Sequence, residues 1–548
     1  MTSPALLLAL TCWIVVFAWC CTEGVRLLRA HRQDAAALLG LTAAAAALRL
    51  MVPWGTIDQA EADRARLMWQ VCSSLRVDFA TVRALAAPLL LVGVEPWRVY
   101  HWVALFVGVS TVVATYALAR ALGLARPLAT LAGCIVLMWP AHVRYSGTLG
   151  LNVVGGTIWA GTLAAVIMPR TNPVWRTRLL AAFIGLLVYT REEFRSLVPL
   201  LGIVLLTKEW KWRERFELVG LVLIGVFPYL SRLAVREHPQ FHPTPWFDTL
   251  FNSPGVTPNL WCYLGVAGLV AGRLSWRNKA LLLSISLALF TLYSFFGGGE
   301  YNPIFGVWRY YLSFLPMLAV GAAALVAWLP LVRGVSPAWA LALLTVVSVA
   351  RYWHVLTRPV DVQAQFTYLL ETTPKIAETY KTLLVVGKAR GEMGDSTPVA
   401  DAEGQGIGLA TRLVPPVVQK CEALNADTCL AEQEPFQSPA HWHHRRGPQA
   451  APVSLSLLTQ RCAGEIDLSK AALFVGLNQS SPELAAMREK YRLEPIDERA
   501  VSVAVLVPNL TSACGSIDLS ARKGSTVSDD LPDCSFTMGW YRLTPKTP

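Results

Sequence analysis

Three stretches of this chain set ionisable side chains against apolar runs, and their groups are those that group-transfer chemistry needs. In WGTIDQAEADRARLMWQVCSS, residues 54–74, Asp58 and Glu61 stand about one helical turn apart with Arg64 beyond them. As a surface helix the segment places Ile57, Leu67, Met68 and Val71 on one face, which leaves the charges together at a membrane boundary. A carboxylate held there can take the proton of an attacking hydroxyl. The same spacing suits a solvated amphipathic helix with ordinary charge pairs.

In VYTREEFRSLVPLL, residues 188–201, Arg191, Glu192, Glu193 and Arg195 crowd into one short segment. A hairpin tip accounts for part of that charge, while an arginine steadied by neighbouring acids also binds phosphate. The third stretch, FFGGGEYNPIFGVWRYYLSFLPML, residues 295–318, leads through Glu300 and Tyr301 to Trp308, Arg309, Tyr310 and Tyr311 at the mouth of a helix. Its aromatics suit a membrane interface, and Arg309 suits a lipid-borne phosphate. A smaller loop, WPAHVRYSGT, residues 139–148, adds His142, Arg144 and Tyr145. Single groups of this kind serve structure as readily as binding.

The elements that must position these groups are apolar helices. The chain has 548 residues, of which 54% are hydrophobic and 16% charged, with a mean hydropathy of +0.43. Soluble domains carry about 25% charged residues, so the composition is that of a polytopic α-helical membrane protein. Apolar runs near residues 5–22, 35–53, 98–118, 127–141, 149–168, 179–190, 194–207, 216–234, 259–272, 280–296, 310–332 and 337–356 predict about twelve transmembrane helices, judged against the ~20 residues a span requires. The net charge of +11 does not indicate nucleic acid, because Lys and Arg alternate with apolar runs along the chain instead of clustering on one soluble surface.

Lysine and arginine stay on the cytoplasmic side of a membrane. The loops carrying Arg26, Arg29 and Arg32, then Arg120 and Arg126, Arg170 to Arg178, Lys208 to Arg215, Arg273 to Lys279, and Arg333 are therefore expected to be cytoplasmic. The intervening loops are expected to face outward, above all residues 54–97 with Asp58, Glu61, Asp63, Asp78 and Glu95. The first apolar run follows MTSPA, which has no basic residue, and precedes no small-residue cleavage site. It is expected to be a retained helix with its N-terminus outside.

After residue 356 the polarity becomes that of a soluble protein, dividing the chain into a transmembrane part, 1–356, and an extracytoplasmic α/β domain, 357–548. TLLVVGK near 382, AALFVGLN near 471, AVSVAVLVP near 500 and FTMGWYRL near 536 are expected as short buried strands, and SPELAAMREKY between them as a helix. Cys421, Cys429, Cys462, Cys514 and Cys534 fall in this domain, where an oxidising compartment permits disulfides. A leftover cysteine would need Cys72 or Cys262 as its partner. The domain shows no nucleotide-binding fingerprint and no nucleophile elbow, so it is read as an accessory or acceptor-binding unit.

Taken in order, the acidic first outer loop, AHVRYSGT, LLVYTREEFRSLVPLL, WRYYLSFLPMLAVGAAAL and a soluble domain ending in a Tyr-Arg strand resemble the GT-C superfamily of membrane glycosyltransferases. The likeness is to the bacterial branch related to protein O-mannosyltransferases and the lipid A aminoarabinose transferase, and it covers residues 35–356. It implies inverting transfer of a sugar from a polyprenyl-phosphate donor to a glycan, lipid or protein acceptor at the outer face of a bacterial inner membrane. An acid of the first outer loop serves as base in that family, commonly within an Asp-Glu pair. Here Asp58 is followed by Gln59, so Glu61 or Asp63 remains an alternative.

Chemistry of this kind needs cations for the departing phosphate, a part suited to Arg191 and Arg309. Glu192, Glu300, Tyr310, His142 and Arg144 complete the expected substrate-binding set, with no cofactor and no divalent metal expected. Two other classes stay open. An O-antigen ligase or polymerase-like enzyme would use a late outer loop, for which Arg236, His238, His242 and Asp248 are candidates. A transporter would show paired repeats and helices broken at the midplane, and a noncatalytic binder of lipid-linked sugar differs only in lacking activity.

Overall fold

The computed structural model describes residues 4–53, 80–92, 94, 96–147, 151–167, 173–190, 211–226, 259–296, 312–330, 335–359, 361–380, 382–385, 451–454, 468–477, 479, 482–504 and 533–546. Most of them are helical. α1 (Pro4–Trp19) runs through a π turn at Cys20–Gly24 into α2 (Val25–Ala30), followed by α3 (Arg32–Met51), α4 (Ala80–Leu91), α5 (Pro96–Ala121), α6 (Arg126–Leu137) and the short α7 (Pro140–Ser146). Then come α8 (Leu151–Ile167), α9 (Pro173–Val188), α10 (Trp212–Val226), α11 (Asn259–Ala271), α12 (Trp276–Phe296), α13 (Leu315–Val326) and α14 (Pro337–Thr357).

By length and composition, two helical segments among the described residues are long and apolar enough to cross a membrane, Arg32–Met51 and His101–Ala121. Several shorter apolar helices pack with them, including Arg126–Leu137, Val153–Ile167 and Leu315–Val326. Their buried side chains form one continuous core. Leu39, Leu223, Leu287, Leu343 and Leu344 are instead exposed, as on helices whose outer faces meet lipid.

Small residues and side-chain hydrogen bonds hold the helices together. A Cβ placed on Gly268 of α11 would collide with the carbonyl of Gly321 on α13, so the two backbones touch only because both residues are glycine. Thr111 of α5 and Thr157 of α8 share a hydrogen bond of 2.6 Å, while each hydroxyl also reaches a carbonyl one turn back on its own helix.

The turns before α3 and after α5 meet at one end of the bundle. There Asp34 pairs with Arg120 at 3.1 Å and accepts from the hydroxyl of Tyr116. Ala125 lines a cleft with Arg273, Trp328 and Ser336.

One expectation is corrected. Residues 54–97 are not wholly an outer loop, because α4 lies within them with Ala80, Thr81, Val82, Arg83, Ala84 and Ala86 buried. Its fixed place is explained by Thr81, whose hydroxyl donates to the Leu186 carbonyl at 2.7 Å while its own carbonyl accepts from the Trp13 indole at 2.9 Å. The acidic residues on either side obscured an apolar run, ALAAPLLLVGV, long enough for a helix.

Beyond α14, helix α15 (Asp361–Thr379) leads to a five-stranded sheet. Its strands are β1 (Thr382–Val385), β2 (Ala451–Ser454), β3 (Ala471–Val475), β4 (Tyr491–Ala504) and β5 (Asp533–Pro545), with α16 (Pro482–Lys490) before β4 and the order β2-β1-β3-β5-β4. β1 runs parallel to β2 and β3, whereas β5 is antiparallel to β3 and β4. The central β3 is buried throughout, and the twofold alternation of a strand divides it. Ala472 and Phe474 face Tyr368, Leu369 and Ile376 of α15; Ala471, Leu473 and Val475 face Leu484 and Met487 of α16.

The four expected strands and the expected helix are present, but β4 and β5 are 14 and 13 residues long, not short. Charged side chains along YRLEPIDERA occupy the exposed faces of that ribbon, so the pairing extends beyond the apolar run. Cys534 is disulfide-bonded, to a residue outside those described. Cys262 is buried and free, which removes it as the partner of a leftover cysteine.

Candidate functional site

The end of the bundle opposite the Asp34–Arg120 pair holds a buried group of cations. α3 packs through Leu41, Ala45 and Leu48, and the next position of that same buried stripe is Arg49. The stripe recurs at helical spacing, so the fold carries a guanidinium inward. Arg49 is 3% exposed, His142 0% and Arg144 1%. The two latter residues were expected in a loop. They stand instead on α7, a helix started by Pro140 after the extended Trp139.

Arg49 Nη2 lies 2.7 Å from Nδ1 of His142, and Nη1 donates to the Ala45 carbonyl at 3.2 Å. A guanidinium only donates, so Nδ1 accepts and the proton of the neutral ring sits on Nε2. Burial first, and the Arg49 charge second, hold the His142 pKa well below its ordinary value. Among the described residues, Nε2 of His142 and Nε of Arg49 have no hydrogen-bond partner. Among the described residues no carboxylate reaches Arg49, whose partners are both neutral.

Gly108 of α5 makes room for this pair. A Cβ there would sit 2.8 Å from Arg49 Nε and 2.5 Å from Cβ of Ser146, whose hydroxyl donates to the His142 carbonyl at 2.5 Å. Gly108→Ala should therefore destabilise the bundle by about 1–3 kcal/mol through overpacking. Thermal unfolding in detergent measures it against Gly40→Ala, a position with nothing within 4 Å of the added Cβ. Equal midpoints for the two variants would contradict the crowding at Gly108.

Arg144 points along the other side of α7. Its Nη2 donates to the Arg358 carbonyl at 3.1 Å and its Nη1 reaches Oε1 of Gln363 at 3.5 Å, while Gln363 Nε2 donates to the Pro53 carbonyl at 2.8 Å. Gln363 thus joins α15 to the last described residue before the acidic segment that begins at Trp54. Two positions on, Gln365 accepts from the backbone N–H of Leu477 at 2.8 Å. One helix therefore grips the membrane part and the sheet.

Of the residues singled out in the sequence, His142 and Arg144 are brought into this cluster. Asp58, Glu61, Arg191, Glu192, Glu300, Arg309 and Tyr310 lie outside the described residues, as do Arg236, His238, His242 and Asp248. Arg49, Gln363 and Gly108 were missed. Arg49 had a signal, a lone cation inside an apolar span; Gln363 had none, being 219 residues from Arg144 in sequence. Buried donors such as Arg49 Nε and His142 Nε2, without acceptors among the described residues, are suited to an oxyanion.

No family model matches the chain, and no curated protein matches it. Its structure is similar to the crystal structure of ArnT from Cupriavidus metallidurans in the apo state, with 13% sequence identity, coverage of 85% of this chain and 96% of that one, and a TM-score of 0.48.

Proposed function

We propose that the chain is a GT-C-type glycosyltransferase of a bacterial inner membrane, moving a sugar from a polyprenyl-phosphate donor to an acceptor hydroxyl on the extracytoplasmic side. The observation that carries this reading is Arg49, with no carboxylate partner among the described residues, beside the N–H of His142, likewise unpartnered among them, both buried at the end of the bundle opposite the Asp34–Arg120 pair. A guanidinium taken out of water is costly unless an anion joins it. The phosphate of a lipid whose tail lies among the helices supplies one at the right depth.

The reaction is a single displacement. The acceptor oxygen attacks the anomeric carbon and loses its proton to a carboxylate of the first outer loop, Asp58 or its neighbour Glu61. The bond from that carbon to the phosphate oxygen breaks with inversion, and its electron pair leaves on the polyprenyl phosphate. Arg49 and His142 donate to the phosphate as its negative charge grows, with Arg191 and Arg309 as further cations and Glu192, Glu300, Tyr310 and Arg144 around the donor headgroup. Asp58 follows Pro53 by five residues, a reach of at most ~18 Å. The Gln363 bond holds Pro53, four residues beyond Arg49, which supports drawing the base from the segment that follows.

The sheet serves as acceptor platform, and the Cys534 disulfide suits its extracytoplasmic placement. The test is transfer itself. Purified protein in lipid nanodiscs, given radiolabelled polyprenyl-phosphate sugars and an envelope fraction, should move label to acceptor material and release polyprenyl phosphate. Failure of the protein both to bind the labelled lipids and to consume them with any envelope fraction would sink the proposal.

A further inference from the structure

The other end of the bundle has a cationic cleft that sugar transfer does not use. It has a volume of about 590 Å³ and is lined by Arg29, His31, Arg32, Gln33, Asp34, Arg120 and Arg126. Asp34 is its one acid, and that carboxylate is already bonded to Arg120 and Tyr116. Arg120 also donates to the Leu124 carbonyl at 2.7 Å, and Arg126 donates to the side chain of Gln33. Arg29 and Arg32 are exposed and form no ion pair among the described residues.

An apolar track descends from this cleft. Arg32 begins α3, and Ala36, Leu39, Gly40, Ala43, Ala47 and Leu50 follow it at helical spacing, all exposed. Leu39 stands two turns below Arg32 on the same face and is 72% exposed. Except for its two leucines the track is Ala and Gly, a shallow surface along which a hydrocarbon chain can lie. Basic loops mark this end as cytoplasmic, so the cleft sits at headgroup depth and the track at acyl depth.

We infer that Arg29, Arg32 and Arg126 bind the phosphate of an acidic phospholipid of the cytoplasmic leaflet, whose acyl chains lie along the exposed face of α3. Charge selects the occupant, since a zwitterionic lipid brings its own cation to a cleft with no free carboxylate. Neutral acyl contact with α3 alone would not distinguish lipids.

The experiment is native mass spectrometry of the full chain, stripped in mild detergent and offered equal amounts of phosphatidylethanolamine and phosphatidylglycerol. Wild type should retain phosphatidylglycerol on the order of tenfold better, the scale set by two or more arginines near a lipid phosphate. Arg29→Gln with Arg32→Gln should bring that ratio close to one without lowering the thermal midpoint, because both side chains are exposed. A ratio near one in wild type, or an undiminished ratio in the double variant, would overturn the inference. So would displacement of the lipid by millimolar inorganic phosphate, which would mark a site for free anions with no use for the α3 track.

Discussion

Arg49→Met should reduce sugar transfer by about 10²–10³-fold, the loss typical of removing a preorganised donor from a developing oxyanion, while the protein stays folded. Methionine keeps much of the length and flexibility of arginine but carries no charge. Taking away a buried guanidinium with no carboxylate partner among the described residues relieves its desolvation cost, and leaving Nδ1 of His142 without a donor costs roughly 1–3 kcal/mol. These terms oppose each other, so the thermal midpoint should move little. The combination separates a ligand site from a structural one. Were Arg49 a packing element, the variant would lose stability and keep its specific activity. Steady-state transfer measured beside the unfolding midpoint decides between them, and activity within threefold of wild type would remove Arg49 from the site. Arg49→Lys, which retains charge but not the planar fork that meets His142, should fall between the two.

Asp58→Asn should lower transfer by about 10²–10⁴-fold, the usual contribution of a general base, with donor retention unchanged. Asparagine has the size of aspartate and cannot take a proton. Binding of labelled donor to the variant in nanodiscs supplies the control, because a misfolded protein would lose binding as well as turnover. Transfer at the wild-type rate would move the base elsewhere, and Glu61→Gln is then the next substitution. If both variants turn over normally, the single-displacement scheme with a first-loop base is wrong.

What could be read from the residues alone follows from the kind of signal each element emits. β1 and β3 were visible because β-branched and apolar residues run together between turn formers. β2, only Ala451–Ser454, emits almost nothing by itself and exists because β1 offers it a partner. α15 is hard to see in the sequence because its residues are amphipathic, neither apolar enough for a span nor set off by a clear break. The site shows the same division. His142 and Arg144 drew notice by interrupting an apolar region, whereas the single Arg49 was averaged into an apolar one. Gln363 is an ordinary polar residue until the fold sets it against Pro53, 310 positions earlier.

That separation also has a meaning in time. A chain made from its N-terminus contains the segment after Pro53 long before residue 363 exists. During synthesis Pro53 therefore lacks the α15 tether, and Arg49 meets His142 without it. The tether forms only once α15 has been made, and the Gln365 bond to Leu477 waits for the sheet beyond it. A chain stopped before residue 363 thus keeps the Arg49–His142 contact but leaves Pro53 untethered, so the last link of this cluster is made late in biogenesis.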